Sequence, residues 1–439
     1  MAFFLPFSSH ALTSQTTANH IQGSAPYLTF DGGRTRVVNT NDLLRITLSD
    51  GTKYTPSTNT SSSSRPIVLP VAGQSFADIS MLVPTDTNSV TLSSLIGPPY
   101  NYWGDDDGDA NVTATGSLSL SIFDKRGRSV SRSTVPEICK APYRVTLSST
   151  NGTLSTRYGV PNRSTFRASS VTYYVNPKAE PVVCFARPNL EVGTGNFAGP
   201  ASMWDPANGF LTQKTDPLYY GQNFPTTGAN GLYFDLLITG SSQPLFWSPV
   251  SRGGITATIT NSTATSVRVT LTGPFATTTQ HNNSRNPGRV SIPSLPQTFE
   301  LVGRDRQGNP VVKYGFRLKQ WFVNRGSRDD DYSDTLSWCN NIGYRMPRVR
   351  DLTNSVRKSP TISGATPSAP ENYYMRHIGS GFFTEWGNAL NYSGVGFSGV
   401  WCWTSDPNAD YYRFLVNTKN GFVDWGYYTS YYYGLCTYP

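Results

Sequence analysis

Ten residues near the C-terminus, Trp338 to Pro347 (Trp-Cys-Asn-Asn-Ile-Gly-Tyr-Arg-Met-Pro), constrain the fold more than any other stretch. Asp331 and Ser333 stand before Leu336 and Trp338, and such side chains accept hydrogen bonds from the unpaired N–H groups of a first helical turn. The pattern predicts a short N-capped helix carrying Cys339. Gly343 ends it, since glycine enters the left-handed conformation that closes a helix without strain. Arg345-Met346-Pro347 then opens a second short helical run, Arg348 to Arg357.

Elsewhere no helical periodicity of comparable length occurs. Only 15% of the 439 residues are charged, 13% are aromatic, and glycine (39) and proline (31) are plentiful. Short strands joined by tight turns answer to that composition, and long helices do not. The fold class is therefore mostly β, in two to four domains. The net charge is +8, but the lysines and arginines form no block. Residues 313–439 hold 13 of the 36 Lys+Arg and 10 of the 28 Asp+Glu, so the excess is spread along the chain. A protein that tracks nucleic-acid phosphates gathers its cations on one face, and that class is set aside. A mild attraction to an acidic cell surface is compatible with the charge. The five cysteines lack C-x-x-C spacing and the four histidines are scattered, which argues against a zinc site.

In chain order, MAFFLPFSSHA is apolar and ends on a small-x-small pattern, so residues 1–26 are read as a shortened secretion signal and polar linker. Residues 27–189 form an expected β-sandwich module. It includes strands at Leu43 to Leu48 and Ile67 to Leu69, and a disulfide between Cys139 and Cys184 inside the module. Asp105, Asp107, Asp109 and Asn111 place oxygen ligands at alternate positions around a glycine turn. Either a Ca2+ loop or a solvated acidic turn satisfies that spacing. Asp124-Lys125-Arg126-Gly127 and Asp305-Arg306-Gln307-Gly308-Asn309 read as matching hairpin turns. Residues 190–312 form a second β module, Ig-like from Ile255 onward, with strands at Thr256 to Thr260, Val267 to Leu271, Arg289 to Ile292 and Thr298 to Val302. A further strand, Val311 to Leu318, runs almost without linker into residues 313–439, which predicts a rigid joint.

The C-terminal part holds six of the nine tryptophans and 14 of the 25 tyrosines. Its order of features is a helix cysteine, G-Y-R-M-P-R-V-R-D-L, Trp401-Cys402-Trp403-Thr404-Ser405, and a cysteine three residues before the end. That order resembles the C-type-lectin-like domain that closes bacterial invasin and intimin adhesins. The W-G-D-D-D-G-D run followed by Ala-Thr-Gly-Ser-Leu-Ser-Leu is similar to adhesion modules of the same proteins. The resemblance implies an α+β lectin-like domain and a bridge from Cys339 to Cys436, 436 − 339 = 97 positions on. Calcium-dependent sugar-binding members carry a Glu/Gln-Pro-Asn/Asp loop and a Trp-Asn-Asp strand. Here Asp406-Pro407-Asn408 and Trp403-Thr404-Ser405 stand nearest, so the calcium–sugar site is absent.

The resemblance further implies a secreted or surface-exposed adhesin, exported through the periplasm, whose C-terminal domain contacts a protein receptor on a host cell. Its expected companion is an outer-membrane protein that exports or anchors it, since no barrel is legible in the sequence. A soluble exported effector and a glycan-binding lectin are the alternatives. No G-x-S-x-G elbow or paired catalytic acids can be placed, and a binding protein is expected rather than an enzyme. Arg376, Trp386, Asp406, Asp410, Trp425, Tyr428, Tyr431 and Tyr433 are the candidate receptor contacts. Tyrosine and tryptophan supply rigid, amphipathic contact area. Cys402 is expected to be a buried, inert thiol.

Overall fold

The computed structural model describes residues 23–108 and 111–439. Most of the expected signal segment, residues 1–22, lies outside the described residues, as does Asp109. The described part is mostly β, and none of its helices is long and apolar enough to cross a membrane. The chain divides into two compact units between Ala179 and Glu180.

In the first unit a five-stranded sheet runs in the order Ile67–Val68, Ser169–Asn176, Tyr143–Ser149, Ser117–Phe123, Ser89–Thr91. Alternation decides which face is buried. Leu118, Leu120 and Ile122 point inward, the last two opposite Leu147 and Val145 of the next strand, while the serines and threonines between them face out. A smaller three-stranded sheet, Arg163–Phe166, Gly152–Ser155 and Thr113–Thr115, accompanies it. The expected strand over Leu43 to Leu48 is instead a helix, Thr40–Leu43, followed by the short strand Ile46–Thr47. Asn39 caps that helix by accepting from the Asp42 N–H at 2.9 Å, an interaction that hydrophobic alternation cannot signal.

The second unit begins earlier than residue 190. Val182–Arg187 pairs with Tyr233–Thr239 and Gly209–Leu211 in a seven-stranded sheet that also contains Ser266–Thr272 and Ile255–Thr260. Gln297–Arg304 and Pro310–Leu318 pair along their length in a separate sheet. Arg289 to Ile292 is not a strand. The Val290 N–H bonds to the Ile342 carbonyl, and Tyr344 donates to the Ser291 carbonyl, so this segment is held against the end of the C-terminal helix.

After Lys319 the chain enters the α+β lectin-like part, a six-stranded sheet in the order Thr227–Ala229, Gln320–Asp330, Tyr432–Tyr438, Trp401–Pro407, Tyr412–Asn417, Val423–Tyr427. Its first and last long strands, Gln320–Asp330 and Tyr432–Tyr438, lie side by side. The helix Tyr332–Ile342 starts on Asp331, whose carboxylate accepts from the Asp334 N–H, and stops at Gly343 with φ +94°. Cys339 on this helix is disulfide-bonded to Cys436 on the last strand. The second helix is only Val349–Leu352, shorter than the expected run to Arg357, because Val356–Lys358 turns into a small hairpin.

One hydrophobic core runs without a break from Val183 to Cys436, so the sandwich and the lectin-like part share an interior. Trp386 is buried against Phe224 at 4.9 Å and Phe234 at 6.1 Å between ring centres. Beside it the carboxylate of Glu385, fully buried, accepts from the N–H and Oγ1 of both Thr226 and Thr227 and from the Gly379 N–H. Desolvation pushes its pKa up, against the pull of those donors. Thr227–Ala229, from the sandwich segment, meanwhile joins the edge of the six-stranded sheet.

His281 sits in the same unit with its ring 6.3 Å from that of Trp338. Burial, with Arg325 nearby, holds its pKa below 6.5. The unfolded chain therefore binds the extra proton first. This contribution to stability is complete above about pH 6.5 and is lost as the pH falls below that value. Thermal unfolding from pH 8 to pH 5 should show a fall in midpoint below about pH 6.5 that is smaller in His281→Gln. Equal falls in both proteins would exclude His281 as the source.

Candidate functional site

The strand Val423–Tyr427 is the free edge of the six-stranded sheet, paired only with Tyr412–Asn417. Hydrogen bonds from the Asn417 N–H to the Phe422 carbonyl and from the Tyr428 N–H to the Tyr411 carbonyl fix the parity of the pairing. Val423, Trp425 and Tyr427 consequently direct their backbone groups away from the sheet. At Val423 those groups are satisfied by one side chain: Asn372 accepts from the N–H at 3.0 Å and donates to the carbonyl at 2.8 Å. Arg357 donates to the same carbonyl at 2.9 Å. The Tyr427 carbonyl accepts from the Ser430 N–H at 2.8 Å. Among the described residues none covers the backbone of Trp425 between them in this way.

Aromatic rings gather around this edge. Tyr412 meets Trp425 edge-on at 4.7 Å and Tyr427 at 5.5 Å. Tyr411 stacks near Tyr427 and Tyr428, at 6.2 and 6.1 Å. Trp425 is 40% exposed, Tyr427 42%, Tyr411 56% and Tyr431 65%, far above what a core aromatic shows. Packing of ring on ring orders the side chains before any partner arrives, which lowers the entropic cost of contact.

Four of the eight expected contacts belong here: Trp425, Tyr428, Tyr431 and the exposed Asp410 beside Tyr411. Two are corrected outright. Arg376 and Trp386 are fully buried and present nothing to a receptor. Arg376 donates to the carbonyls of Asn189, Glu191, Val192 and Glu385 and lies 4.6 Å from the centre of the Trp204 ring. Asp406 is half-buried and accepts from the Val349 N–H at 2.6 Å, so it holds the start of a helix. Tyr433 is half-buried in the last strand, opposite Asp329 and Cys402, away from the edge. Counting odd positions from Tyr431 to Tyr433 assumes one continuous strand, and the turn after Tyr427 breaks that count. Tyr411, Tyr412 and Tyr427, which complete the edge, are not among the expected contacts. The alternation within Val423–Tyr427 alone would have placed Tyr427 beside Trp425.

Cys402 is a free, buried thiol, and burial pushes its pKa up to about 12. Cys139 and Cys184, expected to be bridged, are both disulfide-bonded. Of the acidic turn, Asp105, Asp107 and Asn111 are described, and Asp106 next to them pairs with Arg36. Among the described residues no group of three or more His, Cys, Asp or Glu side chains gathers as a metal would need.

No protein-family model matches the sequence. The chain is 26% identical over 136 residues to the inverse autotransporter adhesin YeeJ of Escherichia coli (strain K12), a match covering 30% of this chain and 5% of that protein. The C-terminal motifs resemble that same invasin- and intimin-like class of adhesin. Among solved structures, invasin, described as a bacterial integrin-binding protein, aligns over 76% of this chain and 52% of its own at 13% identity, with a TM-score of 0.38. A C-terminal fragment of intimin in complex with the intimin-binding domain of the translocated intimin receptor aligns over 75% of this chain and 100% of its own, at 12% identity and a TM-score of 0.34.

Proposed function

We propose that this chain is an adhesin that sits outside the bacterial cell and binds a protein on a host-cell surface through the aromatic edge of its lectin-like part. The observation that carries the reading is the uncovered strand around Trp425 with its pre-packed tyrosines. A sheet edge offers backbone hydrogen bonds, and the rings offer apolar area and stacking, which together suit a protein partner. Exposed aromatics on a rigid support are costly to keep unless something covers them. The sequence match to an adhesin supports the same reading. No chemistry is required of the site, and its affinity comes from contact on a disulfide-closed support.

The test is binding of the purified full-length chain to cultured epithelial cells, compared with a Trp425→Ala/Tyr427→Ala/Tyr431→Ala variant. Saturable binding weakened by about thirtyfold or more is expected, since central aromatic contacts commonly contribute at least that much. The variant should unfold at nearly the wild-type temperature, because all three rings are exposed. Wild-type protein that is folded and shows no binding would favour the exported-effector alternative. Binding unchanged in the variant would move the contact elsewhere on the molecule.

A further inference from the structure

The first unit carries a cleft of about 600 Å3 on the outer face of its five-stranded sheet, far in sequence from the aromatic edge. Its floor is Arg144 and Tyr174, which stand opposite each other on neighbouring strands. One wall is the Lys125-Arg126-Gly127 turn and the other is Ser63 and Ser64. Lys125 on this turn is exposed. Asp124, buried, accepts from the N–H groups of Arg126 and Arg128 and from the Arg128 side chain, so its own carboxylate is turned away from the cleft. Gly127 adopts φ +78°, and a Cβ there would come within 3.8 Å of the Arg144 guanidinium, so the turn closes over that cation.

Among the described residues no carboxylate pairs with Lys125 or Arg144, whereas Arg36, Arg45 and Arg128 of this unit each have one. The Arg144 guanidinium lies 5.7 Å from the centre of the Phe123 ring, a position that steadies it and leaves its N–H groups unspent. Beyond the cleft the sheet face continues as hydroxyls, with Thr146 bonded to Thr172 at 2.9 Å and Ser148 to Ser170 at 2.8 Å.

We propose that this cleft binds an acidic saccharide, with a sulfate or carboxylate of the sugar between Lys125 and Arg144 and the ring beside Tyr174. The volume suits a short oligosaccharide. A planar guanidinium with free donors matches a three- or two-oxygen anion, and serine hydroxyls match sugar hydroxyls. Nucleic acid is disfavoured because its binding needs a track of cations along a backbone, and here the cations converge on one spot. The site is independent of the receptor edge and adds a second, charge-based contact with a cell surface.

Isothermal titration of the full-length chain with a sulfated heparin-derived tetrasaccharide tests it, alongside the desulfated tetrasaccharide and inorganic sulfate. The sulfated sugar should bind saturably and weaken with added salt. Lys125→Ala/Arg144→Gln should lose about tenfold or more in affinity, with unchanged thermal unfolding because both side chains are exposed. Tyr174→Leu should weaken the sugar and spare any residual sulfate binding. The proposal is overturned by absent binding of the sulfated sugar or by an undiminished double variant. It is also overturned if inorganic sulfate competes as well as the tetrasaccharide, which would mark a simple anion site.

Discussion

Replacing Arg376 by methionine is expected to lower the unfolding midpoint of the second unit by roughly 10 °C, the largest effect of any single substitution considered. The guanidinium is fully buried, and every hydrogen bond it makes goes to a backbone carbonyl: Asn189 at 2.5 Å, Glu385 at 2.9 Å, Glu191 at 3.1 Å and Val192 at 3.2 Å. Its plane is also bracketed by Trp204 and Tyr374. Methionine keeps much of the volume and removes all the donors, so four carbonyls lose a partner. At about 1 kcal/mol or more for each carbonyl left unsatisfied, the loss is on the order of 4 kcal/mol. Gly387 shows how tight the packing is, since a Cβ at that position would fall 2.1 Å from an Arg376 nitrogen. Circular dichroism against temperature is the measurement, with the exposed Trp425→Ala as comparison. A midpoint shift no larger than that of Trp425→Ala would mean that Arg376 does not knit the loop before Trp204 to the lectin-like part.

Arg376 also marks where sequence reading runs out. A lone arginine near exposed-looking aromatics reads as a contact residue. Three of its four acceptors lie 184 to 187 positions away, in a loop with no regular pattern, and only the folded chain brings them together. Trp386 and Glu385 were hidden the same way, by partners at Thr226 and Thr227, 159 positions distant. By contrast, Asp331, Gly343 and the alternating runs at Ser117–Phe123 and Ser266–Thr272 were legible, because each depends on neighbours within a few residues. The turns at Asp124 and Asp305 were legible as a matching pair too, and both aspartates accept N–H groups two and four residues on. The aromatic edge was half legible. Strand alternation points to Trp425, whereas the turn that carries Tyr428 away from the strand resets the alternation and misassigns Tyr433.

The second large effect is expected from removing the bridge in Cys339→Ala/Cys436→Ala. The closed loop spans 97 positions, and opening it returns to the unfolded chain an entropy equivalent to about 4–5 kcal/mol. Both cysteines are 0% exposed, so the two truncations also leave unfilled space between the helix Tyr332–Ile342 and the last strand. The unfolding midpoint should fall by more than 10 °C. Reductant alone should do little to the folded protein, because the sulfurs are shielded from an attacking thiolate. Cys402 gives the experiment a second readout. Buried, with its pKa pushed up to about 12, it is a poor nucleophile while the chain is folded. Unfolding exposes it alongside Cys436 on the neighbouring strand, and exchange can then pair the wrong sulfurs. Wild-type protein heated at pH 8 should therefore recover incompletely on cooling, and Cys402→Ala should recover more. Equal recovery would show that Cys402 stays clear of the bridge even in the unfolded chain. A bridge-less variant as stable as wild type would mean that the shared core from Val183 to Cys436, and not the bridge, closes this part of the molecule.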